Sequence, residues 1–147
     1  MKIILALVLS MLMPLATIAG ENTDPDESGI MRPAGDSDLS EFLWTKRPIV
    51  VFADSPADPR FEQQMDLLLK GIDELRARDV VILTDTDPDA RSPLRLKLRP
   101  RGFMLVLVGK DGRVQLRKPL PWSVREITRS IDKNQVRQRE VEERRGQ

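Results

Sequence analysis

Apolar residues along the chain fall into runs and periodic stripes that predict a sequence of elements. Leu39, Phe42 and Leu43 share one face of a short helix opened by Asp38. Pro48 to Ala53 is a continuous apolar run, the pattern of a strand buried on both faces. Asp58-Pro59 is a helix start, because Asp accepts free N–H groups and Pro at the first helical position forfeits no bond. Phe61, Met65, Leu68, Leu69, Ile72 and Leu75 then keep the helical period, with Gly71 as a mild weakness inside it. Val80 to Leu83 reads as a second buried strand, Pro93 to Leu98 as a short helix capped by Ser92, and Phe103 to Val108 as a third strand. Gly109-Lys110-Asp111-Gly112 is a tight connection to a returning strand, Val114 to Arg117. Ser123 and Glu126 have capping-box spacing before Val124, Ile127 and Ile131.

The first two strands are joined by a helix and are therefore expected to be parallel, with a right-handed crossover; the last two are antiparallel through the hairpin. A mixed four-stranded sheet with helices on both faces follows, the α/β arrangement of thioredoxin-like proteins.

The flanks differ from this block. Residues 1–20 carry Lys2, an apolar run from Ile3 and small residues near Ala19, the pattern of a cleaved secretory signal; the run is too short for a membrane anchor. Export to a bacterial periplasm or the cell exterior is expected, with no stable anchor after cleavage. Residues 21–37 read as an acidic flexible leader, residues 38–133 as the domain, and residues 134–147 as a charged tail that continues the last helix and frays, or is disordered.

Composition narrows the chemistry. The 147 residues include no Cys, no His and no Tyr. Thiol–disulfide exchange and thiol peroxidase chemistry are excluded, as are His-based nucleophilic dyads, and the commonest zinc ligand is missing. No cofactor and no metal is implied. Residues 21–89 hold 17 acidic and 7 basic side chains, and residues 90–147 hold 6 and 16. The plain reading is compensation within one domain; the functional reading is a basic face for an acidic partner. Nucleic acid is not an expected partner, since the basic half offers only Phe103 and Trp122 for stacking.

Leu39, Phe42, Trp44, Arg47 and Pro48 ahead of the first apolar run, followed by Asp58-Pro59-Arg60, Arg78-Asp79, Gly102-Phe103, Gly109 to Gly112, Leu116-Arg117 and Ile131-Asp132, form an ordered set. This set resembles a domain-of-unknown-function family with a thioredoxin-like fold, and it covers roughly residues 39–132. The family includes small exported bacterial proteins, and related peroxiredoxin-like domains occur in animal sushi-repeat and matrix-associated extracellular proteins. The resemblance implies a fold and a compartment, with no agreed reaction.

In redox-active members of the fold the Cys pair lies between the first central strand and the next helix. That segment here is Asp54 to Arg60. The cis-proline expected before the third central strand is absent from Arg101 to Met104. Asp54, Ser55, Asp58 and Arg60 are the candidate binding residues, able to meet a cation through the carboxylates or an anion through backbone N–H groups and Arg60. Turn and cap chemistry is the plainer account. Asp85, Asp87 and Asp89 alternate like the start of a calcium loop, but Ala90 and Leu96 occupy the positions needing Gly and Glu. Trp44 and Trp122 are expected to pack at helix–sheet edges. The leading expectation is a non-catalytic module that binds an unknown macromolecular partner; the alternative is a non-thiol enzyme or small-ligand binder using Asp54 to Arg60.

Overall fold

A computed structural model describes residues 29–147; the expected signal lies outside the described residues. The strands are β1 (Met31–Pro33), β2 (Arg47–Phe52), β3 (Val80–Asp85), β4 (Met104–Val108) and β5 (Val114–Lys118). The helices are α1 (Pro59–Lys70), α2 (Ile72–Arg76), α3 (Pro93–Leu98), α4 (Val124–Asp132) and α5 (Gln135–Arg145). The sheet order is β1-β3-β2-β4-β5. β2 and β3 are parallel, and β4 is antiparallel to both β2 and β5. The α/β thioredoxin-like class therefore holds.

The sheet has five strands rather than four. Met31 to Pro33 lies parallel to β3, with Met31 opposite Ile82, and Ala34 N–H donates to the Thr84 carbonyl at 2.8 Å. Ile30 and Ala34 are buried, so the chain is committed to the fold before residue 38, inside the stretch read as leader. The free edge of β3 recruits these residues; no alternating pattern of their own marks them.

Both faces of the sheet are covered. Ile49 and Val51 of β2 point to one face with Ile82, Leu105 and Leu107, under Leu68 of α1, Leu75 of α2 and Ile127 and Ile131 of α4. Val50 and Phe52 point to the other with Leu83 and Val106, under Phe42 and Leu94 and Leu98 of α3. Gln64 of α1, fully buried, exchanges two 2.8 Å hydrogen bonds with the Trp122 backbone and ties α1 to the approach of α4.

The long helix predicted through Gly71 is two helices. A Cβ at Gly71 would meet Val124 atoms at 2.6 Å, so α4 occupies the space a side chain there would need. Asp58, Ser92 and Ser123 cap α1, α3 and α4 as expected, and the Ser123–Glu126 box is reciprocal.

The tail is helical, one of the two readings of it, but it does not simply continue α4. Residues 135–145 form a separate helix with no buried residue, polar on nearly every side. Trp44, expected in a helix–sheet edge, is 67% exposed and adopts a left-handed backbone (φ 62°). Its N–H donates to the Lys110 carbonyl at 2.8 Å, which joins the end of the Ser40–Phe42 turn to the β4–β5 hairpin.

Candidate functional site

The end of β2 delivers the chain into the turn Asp54–Asp58 and then into α1, so the candidate residues stand where this fold carries its redox pair. Asp58 Oδ1 accepts from Arg60 N at 2.9 Å and from Arg60 Nε at 3.3 Å, and Oδ2 accepts from Arg60 Nη2 at 3.2 Å. The Arg60 side chain, then its backbone N–H, holds the Asp58 carboxyl below the usual carboxylate range. Ser55 Oγ accepts from Ala57 N at 3.1 Å. Asp54 and Ser55 are exposed. All four candidates are brought together around a shallow depression open to solvent.

The loop before β4 faces this turn. A Cβ on Gly102 (φ 60°) would lie 3.9 Å from Arg60 Nη2 and 4.0 Å from Asp54 Oδ2, and the Arg60 guanidinium stands 5.8 Å over the Phe103 ring. The junction between the turn after β2 and the loop before β4 is thus a close one. Its contents are a cap, an internal ion pair and a cation–π contact.

The acidic stretch after β3 is differently used. Asp85, with only 5% of its side chain exposed, pairs with Arg95 Nη2 at 2.9 Å and accepts from Ser92 Oγ and Arg95 Nε. Arg95 Nη2 also donates to the Ala53 carbonyl at 3.0 Å. Asp85 therefore serves the sheet end and is withdrawn from Asp87 and Asp89. No trio of His, Cys, Asp or Glu among the described residues is arranged to hold a metal ion.

A second polar cluster lies at the opposite end of β2, and the sequence reading did not single it out as a site. Arg47, fully buried, donates from Nη1 to the Arg78 carbonyl at 2.8 Å and from Nη2 to Glu140 Oε1 at 2.9 Å. Lys110 Nζ reaches the same Glu140 oxygen at 2.9 Å and Asp79 Oδ2 at 2.8 Å. Arg137 Nη1 stands 3.3 Å from Glu140 Oε2, and Arg78 grips Asp132 with two 2.9 Å bonds. Burial pushes the Glu140 carboxyl up, but hydrogen bonds from Lys110 and Arg47 outweigh it and leave its pKa below the usual 4.5. The signal for this cluster was in the pieces quoted for the family resemblance: Arg47-Pro48, Arg78-Asp79, Gly109-Lys110 and Ile131-Asp132 converge here.

Among solved structures the chain is similar to the reduced 2-Cys peroxiredoxin of Plasmodium vivax, at 18% identity and a TM-score of 0.53, over 64% of this chain and 80% of that one. It is also similar to an N-terminally modified Prx1a of Plasmodium yoelii, at 21% identity and a TM-score of 0.49, over 64% of this chain and 76% of that one. The first likeness shows a thioredoxin-like fold and nothing finer, since this chain has no Cys at all. No curated protein sequence matches it. A family model described as Domain of unknown function (DUF4174) matches residues 38–140, from the turn ahead of β2 to the carboxylate that meets Arg47, and the chain belongs to that family.

Proposed function

We propose that this protein is an exported, cysteine-free thioredoxin-like module that acts by holding another macromolecule rather than by catalysis. The observation that carries the reading is the state of the turn at the redox position. Asp58 and Arg60 satisfy each other there, in a depression open to solvent, and the chain offers neither thiol nor imidazole to act on a substrate. Among the described residues Trp44 is the most exposed large apolar side chain, and it precedes the other end of β2. Trp44 is held outward by its bond to the hairpin, beside exposed Leu43, and an exposed, backbone-fixed Trp is the type of side chain that anchors interfaces. The alternative, a small-ligand or enzymatic site at Asp54, Ser55, Asp58 and Arg60, gains no support, because Arg60 spends its charge on Asp58.

Photocrosslinking from position 44 and from position 57 in the exporting cell tests the reading. A discrete macromolecular adduct from 44, in the periplasmic or external fraction, is the expected result. Adducts of no defined mass from either position, or a discrete adduct from 57 alone, would overturn it.

A further inference from the structure

Helix α5 sits on the domain without burying a single residue. Its attachment is electrostatic: Glu140 to Arg47 and Lys110, and Arg144 to Asp79 at 3.6 Å. It does not fill its seat. A cleft of about 430 Å³ remains between it and the Arg78–Asp132 pair, lined also by Val141 and Glu142. Beneath it, Arg47 has a fully buried side chain whose Nε makes no hydrogen bond. A guanidinium taken out of water at the start of a central strand requires an anion. Lys110, 10% exposed, adds a second positive charge beside it, shared between Asp79 at 2.8 Å and Glu140 at 2.9 Å. Arg137 rides on α5 itself, so Arg47 and Lys110 are the fixed half of the arrangement and Glu140 the removable half.

We infer that Arg47 and Lys110 form a carboxylate-binding pocket, filled in this structure by the chain's own Glu140, that accepts an acidic segment of a partner protein when α5 lifts away. A helix held largely by charge, with only Val136 and Val141 half-buried and no fully buried residue to anchor it, exchanges readily with a competing carboxylate. Lys110 links the pocket to the segment that carries the exposed indole, because its carbonyl accepts from the Trp44 N–H. Partner contact and pocket therefore share one end of the sheet. The inference rests on the interaction-module reading for the source of the occupant.

The test uses the full chain carrying Glu140→Lys, which repels α5 from Arg47 and Lys110, and a fluorescent peptide spanning residues 134–147, which supplies the Glu140 carboxylate, as the probe. The peptide is expected to bind the variant at least about ten-fold more tightly than the unaltered chain, and peptide carrying Glu140→Gln is expected to lose that gain. Equal affinity for the two chains, or for the two peptides, would overturn the pocket. Should the variant not fold, hydrogen exchange on the unaltered chain decides the matter. Raising the salt concentration is expected to speed exchange in α5 by about ten-fold while β2, β3 and β4 keep their protection. Exchange of α5 only together with β2 would overturn the inference. A failed pocket with a discrete adduct still obtained from position 44 leaves the module reading standing; loss of both removes it as well.

Discussion

Arg47 Nη2 and Glu140 Oε1 lie 2.9 Å apart across a sequence separation of 93 residues, joining the first residue of a central strand to the last helix. Glu140→Gln is expected to lower stability by about 1.5–3 kcal/mol in urea denaturation, because a fully buried guanidinium loses its charged acceptor. Replacing Arg47 with Met in that background is expected to cost less than the two single changes summed, since each single change already breaks the same contact. Strict additivity would mean that the pair is not coupled.

Acid is expected to release the tail before the core. Hydrogen bonding from Arg78 sets the Asp132 carboxyl below its usual 3.8, and the net effect on Glu140 is likewise downward from 4.5. Carboxylates depressed in the folded state stabilise it above their unfolded values, and the contribution is lost as pH falls through the folded ones. Stability should therefore be level near neutrality and decline from about pH 4.5 downward. Amide exchange in α5 should rise there ahead of exchange in β2. A decline that begins near pH 7 would contradict this assignment.

The break between α1 and α2 makes a steric prediction. Gly71→Ala ordinarily strengthens a helix, but here the new methyl meets Val124 and is expected to cost about 1–3 kcal/mol. Val124→Ala in the same chain should recover part of the loss. A stabilised Gly71→Ala would show that α4 yields at that contact.

Asp85 and Arg95 form a well-buried acidic–basic pair, 5% and 11% exposed. Arg95→Met leaves the carboxylate without its charge partner and should destabilise the protein by about 3–5 kcal/mol, read from the urea midpoint. Because Arg95 and Ser92 occupy the Asp85 oxygens, calcium titrated at millimolar levels is expected to give no heat. A saturable heat would show that Asp85 leaves Arg95 for the ion.

The elements legible in the sequence are those specified by their own pattern. Four strands are apolar runs or alternations, and Asp58, Ser92 and Ser123 announce their helices by capping chemistry that acts within one turn. The misread elements depend on distant partners. Met31-Arg32-Pro33 becomes a strand because β3 has an unpaired edge. Gly71 ends α1, and the space a side chain there would need is taken by Val124 from another helix. Residues 135–145 dock through ion pairs, which leave no hydrophobic period to read. Trp44 escapes burial because its chain turns left-handed to reach Lys110. Of the two polar clusters, the one around Asp58 was visible from fold position. The one around Arg47 was not, since its members come from five separated stretches of chain.

Synthesis runs from the amino terminus, and a nascent chain extended as far as Asp132 already contains every strand of the sheet. What it lacks is the counter-charge for Arg47. Until residue 140 has been added, the Arg47 guanidinium at the start of β2 has no seated carboxylate to meet it. The last helix thus delivers the final charge partner to a sheet whose strands are already made.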